Sequence, residues 1–315
     1  ILKQTLWGGE RIIPYKELAS GLSRVGESWE LSGMPGSESV VAEGPWAGST
    51  LSELIGRFGA ELLGKANYAR FGQEFPLLVK FIDAREDLSI QVHPDDELAR
   101  KRHGKSGKCE MWYVLEAEPG ASLLTGFSRP IAPAEYERRV ADNTLTDVLN
   151  RQAIASGDVF YLPAGRVHSI GKGSFIVEIQ QSSDITYRIY DFDRRDAAGN
   201  SRELHTELAR EAIDFESSEN SRITYAPENN QEVRLVTTPY FTTSLYTLTA
   251  RTRCDWSATD SFVAIVLLQG SGSLTDNEGN RIDVRQGETW LLPASTQWTE
   301  ITPHTAPLRL LTSRI

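Results

Sequence analysis

The sequence has few cysteines and no long apolar run. Cys109 and Cys254 are its only cysteines and form no CxxC pair, so a disulfide framework is not expected. No segment approaches the roughly 18 consecutive apolar residues of a membrane-spanning helix. The first residues also lack the basic and apolar regions of an export signal. These absences predict a cytoplasmic protein that does not cross a membrane.

An excess of positive charge is also absent. The sequence has 33 Lys and Arg against 43 Asp and Glu, which gives a formal net charge of −10. This balance argues against a broad surface for nucleic acid or for an anionic membrane. An anionic small molecule would therefore need a locally basic pocket in an acidic protein, and lysines or arginines near candidate catalytic residues become informative.

Short β-strand patterns dominate what is present. Residues 77–82 and 110–115 are apolar segments of strand length, and residues 95–108 between them form a charged, glycine-containing insertion. Helical patterns are fewer. The clearest begins at Thr50, with Glu53 three residues later as in a capping box, and is predicted to continue to Gly64. A mainly β fold with some helices follows.

The chain contains an internal repeat. Residues 157–168 (GDVFYLPAGRVH) resemble residues 287–298 (GETWLLPASTQW), and residues 113–115 have an apparent counterpart in residues 265–267. We therefore expect two copies of one β-unit connected by the polar segment 194–230. Residues 1–215 would form the first domain, elaborated with helices, and residues 216–315 the second.

Four residues of the first copy form a possible metal site. Gln91 and His93 are two apart in a strand pattern, so their side chains point to the same face. Glu110 opens the strand after the insertion, and His168 follows the tight turn of residues 163–165. Two nitrogens and two oxygens suit zinc and would accept manganese, iron or cobalt, with a position left for water or substrate. Trp298 stands where His168 would recur, so the second copy is expected to lack the site.

These patterns resemble a known family. The spacing of Gly157, Pro163, Gly165 and His168 matches the second cupin motif, and residues 91–93 look like the first motif with glutamine for one histidine. The late position of Glu110, explained by the insertion, resembles type I mannose-6-phosphate isomerases. So do several further segments, which extend the likeness over most of residues 1–215: residues 7–9, 27–32, 89–94, 107–113 and 184–188.

The resemblance implies two cupin-type β-barrel or jelly-roll units and one zinc ion, with Gln91, His93, Glu110 and His168 as its ligands. It implies interconversion of mannose 6-phosphate and fructose 6-phosphate through an enediol. The partner would be this small sugar phosphate, and the protein is expected to be a monomer.

The resemblance also implies roles for charged residues around the metal. Arg188 falls at the position of the catalytic arginine, and a guanidinium can bind phosphate or an enediolate oxygen with two parallel hydrogen bonds. Lys80 is a candidate for assisting ring opening. Lys108 and Glu178 compete as the base near C1 and C2. Ser89 is a candidate phosphate contact.

Two other functions remain open at this point. Two histidines and a carboxylate also resemble the iron site of a cupin oxygenase, and a sugar-binding cupin without catalysis is a third alternative. The cations Lys80, Lys108 and Arg188 favour a phosphorylated substrate, and therefore the isomerase.

Overall fold

The structure, a computed structural model, describes residues 1–196, 198–216 and 220–315. Ala197 and residues 217–219, within the predicted connection, lie outside the described residues. The strands of the first half are β1 (Leu2–Gly9), β2 (Val25–Leu31), β3 (Leu77–Ala84), β4 (Ile90–Val92), β5 (Glu110–Ala117), β6 (Ser122–Phe127), β7 (Leu149–Ala153), β8 (Val159–Leu162), β9 (His168–Ile170), β10 (Ser174–Gln181), β11 (Tyr187–Tyr190) and β12 (Arg222–Ile223).

The later strands are β13 (Val233–Thr237), β14 (Thr242–Leu248), β15 (Thr252–Asp255), β16 (Val263–Gln269), β17 (Ser271–Asp276), β18 (Arg281–Arg285), β19 (Thr289–Leu292), β20 (Trp298–Pro303) and β21 (Leu308–Arg314). The helices are α1 (Ile12–Tyr15), α2 (Leu51–Phe58), α3 (Ala60–Leu63), α4 (Lys65–Phe71), α5 (Asp96–His103), α6 (Pro133–Ala141) and α7 (Thr206–Ala212), with a 3-10 helix at Leu145–Val148. Within the described ranges, none of these helices is long and apolar enough to cross a membrane.

The strands form four antiparallel sheets arranged as two sandwiches. In the first sandwich, sheet β1-β2-β3-β10-β5-β8-β12 packs on sheet β11-β4-β9-β6-β7, and in the second, sheet β13-β14-β21-β16-β19 packs on sheet β15-β20-β17-β18. Apolar side chains from both sheets of each pair fill the space between them. The mainly β fold of two similar units, with most helices on the first, is confirmed. The described strands leave each sheet open, so neither unit is a closed barrel.

The internal repeat is visible in the strand order. The order β3-β10-β5-β8 recurs as β14-β21-β16-β19, and β4-β9-β6-β7 recurs as β15-β20-β17-β18. Gly157 and Gly287 both have a positive φ, and their N–H groups donate to Val114 and Leu267. Val114 is therefore equivalent to Leu267, so the predicted alignment of residues 113–115 with 265–267 is wrong by one residue. The compared segments 113–115 and 265–267 are both apolar, so their residue types do not fix the register, whereas hydrogen bonds do.

One helix prediction also needs correction. The capping box at the start of α2 is present, since the Thr50 hydroxyl accepts from the Glu53 N–H and the Glu53 carboxylate accepts from the Thr50 N–H. The helix ends at Phe58 rather than continuing to Gly64, because Gly59 takes a φ of 48° that a regular helix does not allow.

The two units share an apolar core. The rings of Phe75 and Phe262 lie 4.8 Å apart, and the Tyr15 hydroxyl donates to the Leu268 carbonyl over 2.7 Å. Strand β12, which follows the predicted domain boundary at 215/216, still pairs with β8 of the first sheet. The boundary therefore stays a prediction.

Candidate metal centre and adjoining cavity

Four side chains from both sheets of the first sandwich meet at one buried point. Gln91 lies opposite His168 in the pairing of β4 with β9, His93 directly follows β4, and Glu110 begins β5 in the facing sheet. His93 Nε2 is 3.3 Å from Glu110 Oε1, and His168 Nε2 is 3.5 Å from Glu110 Oε2. Gln91 Nε2 is 3.5 Å from His93 Nε2 and 3.4 Å from His168 Nε2.

The two histidines are oriented as metal ligands usually are. His93 Nδ1 donates to the Ile185 carbonyl over 2.7 Å, and His168 Nδ1 donates to the Arg166 carbonyl over 2.8 Å. With the proton on Nδ1, each Nε2 directs its lone pair at the cluster, a common arrangement in metal sites. Burial, together with the nearby Lys108 ammonium, lowers the pKa of His93 to about 3. Burial likewise lowers the pKa of His168, so both imidazoles are neutral.

Glu110 supplies the negative charge of the cluster. Its side chain is 1% exposed, and neither carboxylate oxygen accepts a well-formed hydrogen bond from a described residue, although Lys108 Nζ lies 2.7 Å from Oε1. Burial alone would raise the pKa of Glu110, but the charge of Lys108, with smaller contributions from His93 and His168, outweighs it and holds that pKa well below its usual range. A buried, ionised carboxylate with unused lone pairs is costly unless a cation binds it.

Gln91 can contribute an oxygen. Its Nε2 faces the histidines while its Oε1 accepts from the Ser89 hydroxyl over 3.3 Å. The oxygen and nitrogen of a side-chain amide have nearly the same shape and differ in whether they accept or donate. Rotating the Gln91 amide by half a turn therefore directs Oε1 at the cluster. Ser89, which can donate or accept, then bonds to Nε2 instead.

The donor set fits one divalent cation. A tetrahedral site with metal–ligand bonds of about 2.1 Å places its donor atoms about 3.4 Å apart. The four donor–donor distances above are 3.3 to 3.5 Å. Donor atoms of His93, Glu110 and His168 all lie within 4.8 Å of one another. The predicted ligands are thus brought together, and their chemistry suits a metal ion.

A cavity of about 640 Å³ adjoins the cluster. Every residue that lines it comes from the first 202 residues, so among described residues the second unit contributes nothing to its wall. The predicted substrate-handling residues all line it, together with Gln91 of the cluster: Lys80, Ser89, Lys108, Glu178 and Arg188.

Lys80 and Glu178 form a buried ion pair in the wall of this cavity. Lys80 Nζ is 2.9 Å from Glu178 Oε1, and the Trp112 indole donates to Oε2 over 2.9 Å. Burial opposes the charge on Lys80, but Glu178 and Glu27 outweigh it and raise the pKa of Lys80 above its usual value. Both Glu178 oxygens are already engaged, which is unlike a free base.

Arg188 lies beside the candidate metal centre. It is the neighbour of Gln91 in the pairing of β11 with β4. One terminal nitrogen of its guanidinium donates to the Glu203 carbonyl over 2.9 Å, while Nε is buried and makes no hydrogen bond to a described residue.

Several cavity residues were not assigned a role from the sequence. Glu27 accepts from the Trp29 indole over 2.6 Å, and despite its burial the charges of Lys80 and others lower its pKa. Its segment matched the family pattern, so a signal existed. Arg24 and Arg202 also line the cavity, but both lie in irregular segments where spacing carries no information.

Residues 3–124 match the family model described as phosphomannose isomerase type I, catalytic domain. The chain is 34% identical over 297 residues to a probable mannose-6-phosphate isomerase of Bacillus subtilis, covering 93% of this chain and 91% of the relative. It is also 34% identical over 295 residues to a mannose-6-phosphate isomerase of Streptococcus mutans, with 93% and 90% covered.

The crystal structure of the mannose 6-phosphate isomerase from Bacillus subtilis has the same fold, with a TM-score of 0.89 at 30% identity, covering 100% of this chain and 98% of that chain. Fold and donor cluster thus define a cupin-type protein with a candidate metal centre in its first unit. Within that class, the chain belongs to the type I mannose-6-phosphate isomerase family.

Proposed function

We propose that the protein interconverts mannose 6-phosphate and fructose 6-phosphate. One observation carries this proposal beyond family membership: the buried group of metal donors adjoins, through Gln91, a cavity whose lining includes the cations Lys80, Lys108 and Arg188. A cavity of this kind suits a small polyhydroxylated anion. The acidic protein thereby presents a locally basic pocket to a small-molecule substrate.

We propose zinc as the metal, because two imidazoles, a carboxylate and an amide oxygen form a borderline-soft set. Gln91, His93, Glu110 and His168 would hold it. When bound, such an ion stabilises the negative charge that develops on substrate oxygens during enolisation.

Lys80 assists ring opening in this proposal. Its raised pKa keeps it an ammonium, and Glu178 fixes its position. The ammonium donates a hydrogen bond to the ring oxygen as the bond from that oxygen to C1 breaks. The proton that leaves the C1 hydroxyl passes through water to the ring oxygen, so ring opening consumes no net proton.

The proton then moves between carbons. A base removes the proton from C2 of the open aldose to give an enediol and returns it to C1, while a proton passes from O2 to O1. Lys108 and Glu178 are the candidates. Both stay candidates: Glu178 already accepts from Lys80 and Trp112, and the Lys108 ammonium, 2.7 Å from Glu110, must lose its proton before it has the lone pair that a base needs.

Arg188 contributes positive charge to the cavity for an anionic oxygen of the substrate. Ser89, 3.3 Å from Gln91 Oε1, is proposed to orient that ligand as well as to contact substrate. Residues 1–215 would be the catalytic domain and residues 216–315 a supporting domain. A monomer in the cytoplasm remains our expectation, and the two unpaired thiols Cys109 and Cys254 are consistent with a reducing compartment.

The test is a coupled assay for fructose 6-phosphate with zinc-loaded protein, together with metal analysis. We expect turnover in the wild type and a loss of at least about a hundredfold in His168→Gln, with bound metal greatly reduced. Trp298→Phe, at the equivalent position of the second unit, should retain both. Oxygen uptake by the iron-loaded protein without ketose formation would support the oxygenase instead. Metal binding with no turnover would support a non-catalytic sugar-binding cupin.

A further inference from the structure

A second guanidinium faces the cavity beside Arg188. Arg202 lines the cavity although it lies outside the regular strands and helices. The pKa of Arg188 is lowered mainly by burial and next by the positive charge of Arg202, so the two guanidiniums lie close together. Two like charges that face one cavity repel each other in the free protein.

The position of Arg202 is fixed from behind. Its Nε donates to one carboxylate oxygen of Asp191 over 2.7 Å, and its Nη2 contacts the other oxygen. Asp191 itself is 5% exposed. This two-point pairing is the geometry in which arginine is most rigidly held. Within the described residues nothing accepts from Nη1, so that nitrogen is left for a ligand.

Arg188 is likewise held on one side only. Its Nη1 donates to the carbonyl of Glu203, next in the chain to Arg202, while no described residue accepts from its Nη2, and the residue lines the cavity. Unused donors on adjacent guanidiniums match an oxyanion with several acceptor oxygens. A phosphate placed there also relieves their repulsion.

We propose that Arg202, positioned by Asp191, binds the phosphate group of the substrate together with Arg188. This assignment rests on the proposed function, because it takes the ligand to be a sugar phosphate. Arg202 contacts the part of the substrate that does not react, and Asp191 acts only through Arg202.

The first experiment measures binding by calorimetry. The probes are 6-phosphogluconate, an open-chain hexonic acid that carries the phosphate, and gluconate, which lacks it. We compare wild type, Arg202→Gln and Arg194→Gln. Arg194 is the matched control, since its Nη1 also approaches Asp191 (3.6 Å) but the residue does not line the cavity.

Loss of a charge-assisted hydrogen bond to phosphate should weaken binding of 6-phosphogluconate by Arg202→Gln about tenfold to a hundredfold. Gluconate binding should not change, and Arg194→Gln should behave as wild type. Equal binding by Arg202→Gln and wild type would overturn the proposal. So would an equal loss in Arg194→Gln, or a wild type that does not prefer the phosphorylated acid.

The second experiment separates binding from catalysis. For mannose 6-phosphate, Arg202→Gln should raise KM about tenfold or more and change kcat by less than about threefold, because it removes an interaction that ground state and transition state share. Asp191→Asn should raise KM by a smaller factor. A fall in kcat at constant KM would contradict the assignment. If the wild type lacks isomerase activity, the proposed function fails, while the binding comparison still decides the role of Arg202.

Discussion

The two units share a strand order but differ at every position of the metal centre that the strand pairing aligns. In the first unit Gln91 lies opposite His168 and Glu110 opposite Leu162. In the second unit Asp255 lies opposite Trp298 and Val263 opposite Leu292. The three aligned positions therefore change as Gln91 to Asp255, Glu110 to Val263 and His168 to Trp298.

The difference shows that the second unit uses these positions for packing contacts. Val263 lies in an apolar cluster of the second unit, and Trp298 stacks with the Arg253 guanidinium 4.1 Å from its ring centre. The first unit instead buries a carboxylate, an ammonium and two imidazoles at the corresponding place. Buried polar groups of this kind cost stability unless they are paired, so the first unit keeps them at the expense of stability.

The loops differ as well. Eighteen residues lie between Gln91 and Glu110, whereas seven lie between Asp255 and Val263. The additional residues contain helix α5 and Lys108, whose ammonium contacts Glu110. The insertion thus brings a cation to the centre, which the shorter loop of the second unit does not.

Glu110→Val tests the comparison most directly, because it places in the first unit the residue type that the second unit has at the aligned position, Val263. Loss of the only carboxylate among the proposed ligands should abolish stoichiometric metal binding. Turnover should fall by at least about a thousandfold, since a metal ion contributes several kcal/mol to stabilising charge in the transition state. Metal analysis and the coupled assay measure both.

Val263→Ala is the control for this variant. It removes buried methyl groups and should lower the free energy of unfolding by about 1 to 3 kcal/mol, while metal content and turnover stay at wild-type values. Retained metal in Glu110→Val would show that Glu110 is not a ligand.

The buried ion pair offers the next largest effect. The strand pairing places Ser244 and Thr312 of the second unit where Lys80 and Glu178 lie in the first. Lys80→Met leaves the Glu178 carboxylate without its cation and should lower the free energy of unfolding by about 3 to 5 kcal/mol. Urea unfolding measures the change.

Thr312→Val tests the position of the second unit that is equivalent to Glu178. The Thr312 hydroxyl is buried and has no hydrogen-bond partner among the described residues, so its replacement by a methyl group should be neutral or slightly stabilising. A similar loss of stability in both variants would contradict the view that only the first unit depends on a buried charge.

The histidines predict a pH dependence specific to the first unit. Because burial lowers the pKa of His93 to about 3, the unfolded chain binds a proton below about pH 6.5 that the folded protein does not bind. Stability of the metal-free protein should therefore fall as the pH falls from about 6.5 toward 3, by up to about 1.4 kcal/mol per pH unit for this histidine.

Urea unfolding after chelation, repeated between pH 7.5 and pH 5, measures the slope. His93→Gln should reduce it, whereas His304→Gln, in the second unit, should not. An identical slope in wild type and His93→Gln would show that His93 does not resist protonation in the folded state.

The sequence predicted which side chains meet at the candidate metal centre because its signals there are local. Alternation placed Gln91 and His93 on one face, and the turn before His168 marked a strand edge. Strand pairing depends on residues far apart in the sequence. The two features that it determines, the one-residue offset between the units and the contact of Lys80 with Glu178, could therefore not be predicted. Arg202 reaches the cavity from an irregular segment, through a pairing with Asp191 that no periodicity reveals.

The smallest expected effect concerns how the second unit supports the first. Helix α4 begins after Gly64, which has no side chain to cap it, and Asp260 of the second unit accepts from the N–H groups of Lys65 and Ala66 over 2.8 and 3.0 Å. Asp260→Ala removes this cap and should lower the free energy of unfolding by about 1 kcal/mol.

Turnover of the Asp260→Ala variant should stay at the wild-type value, because the second unit lines no part of the cavity within the described residues. Asp255→Ala is the control, since the partner of its exposed carboxylate among the described residues is Ser257 of its own unit and its loss should leave turnover unchanged. If Asp260→Ala lowered kcat while Asp255→Ala did not, the second unit would influence catalysis through helix α4. A loss of stability with constant kcat would confine it to structural support, and the contrast between a functional and a supporting copy would hold.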